Sequence, residues 1–285
     1  MKPIIKYRGG KSKEIKNFLQ FIPHDYDRYV EPFAGGAALY FYLEPQLALI
    51  NDINPKLIDF YLAVQNNYEQ LKKELVGLES IYQSNQIEYE ILKKSEDIQG
   101  FVENKNEALY YLLRDMYNGK IEKKYLDATL YYCINKTSYS GMLRFNSRGE
   151  FNVPFGRYKN FNTEIVSEEH RALLRRTEIT QMDYSKVFER CSTKDFVFLD
   201  PPYDCVFTDY GNVGENDFLE QSQIKLAEDF RNLSAKSLMI IGKTELTKKL
   251  YGPYIKAEYS KKYAVNIRNR FKAESMHLII TNYNI

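Results

Sequence analysis

The sequence predicts an α/β fold, a parallel sheet split by an inserted, mainly helical module. Three observations predict it. Short apolar runs occur near the start, and fully apolar ones in the second half, the sign of strands buried on both faces. The first run leads through a glycine turn into a helix-like stretch and then a second run, the opening of a doubly wound sheet. Between the two sets no proline occurs from Pro55 to Pro154, and leucines there recur at helical spacing. A chain of 285 residues is long enough for one large domain or two smaller ones around a sizeable core.

In chain order, the strand candidates Asp27 to Phe33 and Gln46 to Asn51 flank a helix-like Ala37 to Tyr42. Leu71, Leu75 and Leu78, then Leu109, Leu112, Leu113 and Met116, mark helices. In the stretch 139–156, Asn146-Ser-Arg-Gly149 is flanked by alternating apolar residues and reads as the centre of a β-hairpin. Phe196 to Leu199, Leu238 to Ile241 and His277 to Ile280 are further buried strands. The expected division is a discontinuous domain, residues 1–60 and 165–285, around an insert at 61–164 that carries the hairpin.

Composition excludes several functions. Lys and Arg number 40 against 38 Asp and Glu, so nucleic acid could be held only by a local basic patch. The 3 cysteines, Cys133, Cys191 and Cys205, are too few and scattered for a disulfide framework or a zinc site, and Cys205 reads as a small packing residue. His24, His170 and His277 share no ligand spacing and read as ordinary surface or strand residues; no metal is expected. No apolar run is long enough to span a bilayer and Met1-Lys2-Pro3 begins no signal peptide, so a reduced, cytoplasmic protein without membrane contact is expected.

Two motifs carry chemistry. In Val30-Glu-Pro-Phe-Ala-Gly-Gly-Ala-Ala38 a strand enters a small-residue turn and then a helix, where glycines admit a ligand close to the backbone and unpaired N–H groups face it. The G-x-G-x-x-G spacing of dinucleotide sites is missing, which disfavours a nicotinamide oxidoreductase. Asp52 closes the next strand, placed to bond a ribose hydroxyl pair, although Asn51-Asp-Ile-Asn-Pro55 could equally cap a helix. Together these favour a nucleoside-containing cofactor. In Leu199-Asp-Pro-Pro-Tyr203 the prolines end a buried strand, so Asp200 and the Pro201 carbonyl, with Pro202 stiffening the turn, offer two acceptors at the sheet edge. Two acceptors suit a planar amine, such as that of adenine or cytosine, and Tyr203 offers a face for the base. A third block, Lys6-Tyr-Arg-Gly-Gly-Lys11, is either a solvated arm or a cover for an adenine ring, with Lys11 facing a carboxylate.

These blocks, with Asn51-Asp-Ile-Asn54, the stretch Asn135 to Tyr158 and the closing Leu278-Ile-Ile-Thr-Asn-Tyr283, resemble the Dam-type DNA adenine methyltransferases of the D12 class, in the family's order and over nearly the full length. The resemblance implies a Rossmann-like sheet that binds S-adenosylmethionine, releases S-adenosylhomocysteine and methylates the N6 amine of an adenine flipped out of double-stranded DNA. It implies that Tyr7 stands where an aromatic packs on the cofactor and Lys11 where a lysine contacts it. Glu31, Phe33 and Gly35 would line its methionine side and Asp52 would bind its ribose. Asp200 and Pro201 would hold the target amine, with Tyr203 stacked on the adenine. In the hairpin, Arg144 matches a guanine-reading arginine, and Ser140, Met142, Arg148 and Pro154 lie in the recognition stretch.

The chain departs from the family at Ala37, often glycine, and at Ser140 and Met142, often asparagine and leucine, so a GATC target does not carry over. Methylation of cytosine N4 or RNA adenine, and a silent DNA-binding homologue, are alternatives. A cognate restriction endonuclease and the oligomeric state are left open. Two local patches would meet DNA: residues 136–160, with Lys136, Arg144, Arg148, Arg157 and Lys159 and a net charge of +4, and residues 256–272, with a net charge of +5.

Overall fold

A computed structural model of the chain describes residues 1–7, 9–95, 102–203, 220–262 and 274–284. Seven strands form one sheet: β1 (Arg28–Glu31), β2 (Ala48–Asn51), β3 (Thr177–Thr180), β4 (Asp195–Leu199), β5 (Lys236–Gly242), β6 (Ile255–Lys262) and β7 (Glu274–Thr281). Their order is β3-β2-β1-β4-β5-β7-β6. The first five run parallel, while β7 is antiparallel to both β5 and β6, so the expected run His277 to Ile280 belongs to an antiparallel strand.

Side chains alternate across the sheet, as the period of 2 requires. Tyr29, Ile50, Phe196, Phe198, Leu238, Ile240 and Ile279 join one buried cluster, and Val30, Leu49, Val197, Leu199, Met239, Ile241 and Leu278 join another. On the first face lie α1 (Ile15–Phe18), α2 (Ala38–Leu43), α3 (Pro55–Asn66) and α7 (Glu168–Arg175), with the inserted helices α4 (Tyr68–Lys94), α5 (Lys105–Tyr117) and α6 (Asp127–Thr137) continuing the same core. The second face is covered by α8 (Tyr184–Phe188), α9 (Glu220–Asn232) and α10 (Glu245–Tyr251).

Two details differ from the sequence reading. β3 was not anticipated, because Thr-Glu-Ile-Thr is a half-polar edge strand. The hairpin is reduced to single bridges, Phe145 to Phe151 and Ser138 to Phe155. Its returning arm is held instead by α5: the Tyr110 hydroxyl donates to the Val153 carbonyl at 2.7 Å, and the Asn118 amide exchanges two bonds with the Phe151 backbone. The arms still exchange backbone bonds, from the Asn146 N–H to the Glu150 carbonyl at 2.9 Å and from the Asn152 N–H to the Arg144 carbonyl at 3.1 Å, so the Phe151 backbone groups face away from the opposite arm and find Asn118.

The strand order places the site. Pro32 and the Asp200-Pro-Pro turn end β1 and β4, since proline cannot donate to the ladder. Val30 pairs with both Leu49 and Val197, so the carboxyl ends of β2, β1 and β4 lie side by side. Succession runs outward from β1 to β2 and β3, then returns to β4 on its other side, the switch point at which open α/β sheets hold ligands. Among the described residues no helix is long and apolar enough to cross a membrane.

Candidate functional site

A cavity of about 470 Å³ opens at that switch point, within the range of small-molecule sites. Tyr7, Lys11, Glu31, Phe33, Gly35, Asp52, Asp200, Pro201, Pro202 and Tyr203 all line it. The N-terminal block, the glycine turn and the Asp-Pro-Pro-Tyr turn thus meet in one place, although up to 196 residues separate them in the chain.

The glycine turn is braced from three sides. The Gly35 N–H donates to Asp52 Oδ2 at 2.9 Å, and its carbonyl accepts from the Tyr61 hydroxyl at 2.8 Å. Gly35 has a φ of +47°, and a Cβ there would lie 2.8 Å from the Tyr7 ring. Both the backbone shape and the space demand glycine. Ala37 keeps a φ of +50°, so the turn is left-handed at this position even with alanine in it. In 51–55 Asp52 lines the cavity, while the Asn54 side chain accepts from the N–H groups of Lys56 and Leu57 to cap α3.

Of the acids in the cavity wall, Glu31 and Asp52 are buried and Asp200 is partly so. Burial pushes Asp52 above the usual carboxylate range, opposed by N–H bonds from Asn54, Gly35 and Ile53. Burial pushes Glu31 up to about 8; the Tyr29 hydroxyl, which donates to it, opposes the rise, while nearby Asp200 and Asp52 reinforce it. Asp200 is also raised by burial, against the pull of Lys11. The Lys11 ammonium, 2 % exposed, lies 2.6 Å from Asp200 Oδ1 and 3.0 Å from the Gly9 carbonyl.

Behind the Asp-Pro-Pro-Tyr turn, the Gln223 amide donates to the Pro202 carbonyl at 2.8 Å. The Tyr203 ring lies over Gly242, where a Cβ would sit 3.5 Å from it, and Lys11 Nζ stands 5.1 Å from its centroid. Sequence reasoning missed Met182, Asp183 and Tyr184, which follow β3 and complete the cavity wall, with Tyr184 packed on Phe33 at 5.2 Å between centroids. It also missed Gln221, Ser222 and Lys225 at the start of α9. The only signal for the first group was an Asp-Tyr pair after an unrecognised strand.

The profile of D12 class N6 adenine-specific DNA methyltransferases matches residues 7–267. The chain belongs to that family. The type II methyltransferase M.CviBI of Paramecium bursaria Chlorella virus NC1A is 36% identical over 291 residues, covering 99% of this chain and 100% of the viral protein. The type II methyltransferase M.MjaIII of Methanocaldococcus jannaschii is 30% identical over 310 residues, covering 99% of each. A DNA adenine methylase of Salmonella typhi is 28% identical over 260 residues, covering 87% of this chain and 83% of its own. The chain is therefore a DNA methyltransferase specific for adenine N6, and its family reaction draws the methyl group from S-adenosylmethionine.

In this methyltransferase Ser140, Met142, Arg144, Arg148 and Pro154 lie outside the cavity. Ser140, Arg144, Arg148 and Pro154 are exposed and Met142 is half-buried. Ser140 takes a left-handed φ of +56°. Gly141, at +60°, lies against the Lys6 side chain. The Asn135 side chain exchanges two bonds with the Lys6 backbone, at 3.0 and 2.8 Å. The end of α6 and Gly141 thus join the hairpin, residues 139–156, to the N-terminal block.

The basic patches are weaker in space than in sequence. Arg157 and Lys159 face Glu107 and Glu90. Burial, reinforced by Lys6, pushes Lys136 down to about 8. Arg144 and Arg148 make no ion pair among the described residues. In the second patch Lys261 turns inward to Glu14 instead of facing solvent. Arg268, Arg270 and Lys272, like Cys205, lie outside the described residues.

Proposed function

We propose that this cavity holds S-adenosylmethionine against the glycine turn and receives an everted adenine at Asp200, Pro201 and Tyr203. The observation that supports it is the single cavity lined by acids from three neighbouring strand ends, Glu31, Asp52 and Asp200. The residues fit the cofactor chemically. Asp52 suits ribose hydroxyls, Met182 and Tyr184 suit an adenine ring, and Glu31 and Lys11, beside Phe33 and Gly35, suit the ammonium and carboxylate of an amino acid. When bound, the cofactor supplies an electrophilic methyl on sulfur.

The target amine is a poor nucleophile because its lone pair is delocalised into the ring. Asp200 and the Pro201 carbonyl accept its two hydrogens, which favours a pyramidal nitrogen with an available lone pair. The Lys11 ammonium, 2.6 Å from Asp200 Oδ1, opposes the rise that burial imposes on this carboxyl. Positioning and fixed charge supply the rate, and no nucleophilic side chain is required. Eversion costs a few kcal/mol, and stacking on Tyr203 offsets roughly 1–3 kcal/mol of it.

The hairpin, residues 139–156, then serves as the reading head of an inserted recognition domain, with Arg144 to guanine and Ser140, Met142, Arg148 and Pro154 around it. Such an enzyme works in the cytoplasm beside its DNA, alone or with a cognate restriction endonuclease. The test is calorimetric titration of S-adenosylmethionine into Asp52→Ala and Tyr7→Ala. Each is expected to weaken binding more than about tenfold, the worth of one or two good contacts. Unchanged affinity in both would place the cofactor elsewhere.

A further inference from the structure

Next to the Asp200–Tyr203 turn lies a buried polar cluster that methyl transfer, as described, does not use. Glu14, 5 % exposed, follows Lys11 by one helical turn, its N–H donating to the Lys11 carbonyl at 2.7 Å. Its carboxylate meets His277 Nδ1 at 2.9 Å, the Tyr259 hydroxyl at 2.7 Å and the Lys261 ammonium. Burial opposes ionisation of Glu14, but these partners and Lys11 outweigh it and hold the group down at about 2. It is therefore an anion at neutral pH, satisfied by three donors from β6 and β7.

His277 is fully buried in the otherwise apolar run of β7. Its ring stands between two tyrosines: Tyr203 at 5.2 Å and 79°, and Tyr259 at 5.3 Å and 75°, both edge to face. A leucine or valine would pack at this position without desolvating polar groups, and packing alone leaves a ring free to tilt. A directional bond to a fixed carboxylate sets the plane of an imidazole, as carboxylates do for histidines that ligate metals. The imidazole in turn supports the ring on which the target base is to stack.

We propose that His277, oriented by Glu14, is a positioning residue for methyl transfer, fixing the ring plane of Tyr203. The inference rests on the reading of Asp200–Tyr203 as the adenine site.

Single-turnover methyl transfer, measured in a double-mutant cycle with Tyr203, tests it. His277→Asn keeps a donor toward Glu14 but removes the ring. With Tyr203 present it is expected to slow transfer about tenfold while S-adenosylmethionine and DNA affinities stay within about twofold. In a Tyr203→Ala background the same change is expected to cost less than about twofold, because the supported ring is gone. Equal losses in both backgrounds, or no loss beside Tyr203, would overturn the proposal. Should His277→Asn not fold, Glu14→Gln, which keeps the side-chain shape and an acceptor, reads the same coupling with a smaller loss. If the unmodified protein methylates adenine but the losses are additive, this inference fails alone. If Tyr203→Ala transfers as fast as the unmodified protein, the stacking role itself fails and the inference with it.

Discussion

Around the cavity, each acid is bonded from behind. Asp52 accepts the N–H groups of Gly35 and Asn54, Glu31 accepts the Tyr29 hydroxyl, and Asp200 accepts Lys11. The hairpin is built differently: Ser140, Arg144, Arg148 and Pro154 are exposed, and Arg144 leans on Asn152 of the same hairpin, at 2.8 Å. Groups that hold a reacting centre must be placed to within a fraction of an ångström, which the bonds behind these acids would secure. Reading groups must reach a partner, so they stand on a surface where replacement costs the fold little. On the proposed assignment, the difference teaches that the reaction and the target sequence can vary separately in this molecule.

Four changes sharpen or break that contrast. The largest effect is expected from Gly35→Ala. A Cβ 2.8 Å from Tyr7, at a left-handed φ, displaces the ring or the turn. Thermal unfolding should show a loss of roughly 2 kcal/mol, and cofactor titration a matching loss of affinity. A fully stable, fully binding variant would show the turn to be less constrained than described.

Next is the pH dependence set by Glu31. With its proton held up to about 8, the empty protein is favoured at acid pH, and that contribution fades as pH rises from the unfolded value through 8. Cofactor binding runs the other way, because pairing with an ammonium requires the anion. Affinity for S-adenosylmethionine should rise with pH, by up to about tenfold per unit below 8, and Glu31→Gln should flatten the slope. A flat profile in the unmodified protein would contradict the pairing.

Arg144→Ala should leave stability within about 0.5 kcal/mol, yet relax discrimination at one base pair by about 1–3 kcal/mol. Methylation-sensitive sequencing of DNA from an expressing host reads the change. Smallest is Arg148→Ala, expected to weaken binding evenly across sequences and to lower the salt slope of DNA affinity by about one. Sequence-selective loss there would move base reading to Arg148.

Much of this was legible in the chain. Val30, Leu49, Val197 and Met239 sit in short apolar runs, and the tight blocks at Glu31, Asp52 and Asp200 needed no alignment to suggest a nucleoside and an amine. What was not legible had weaker local signals. β3 is too polar to look buried, and β6, with Lys256, Lys261 and Lys262 in it, reads as surface charge although Lys261 folds in to Glu14. The wall formed by Met182, Asp183 and Tyr184 owes its place to β3, and so was lost with it. His277 reads in sequence as an ordinary strand residue, and it does lie in β7; its buried partner Glu14 is 263 positions away, beyond any local signal.

The central claim is that Asp200 grips the target amine in the same cavity that holds the cofactor. Its most direct test is single-turnover methyl transfer by Asp200→Ala at saturating S-adenosylmethionine and DNA. The account predicts a rate at least about a thousandfold below the unmodified protein, with DNA affinity within about threefold. Transfer at the unmodified rate would contradict it.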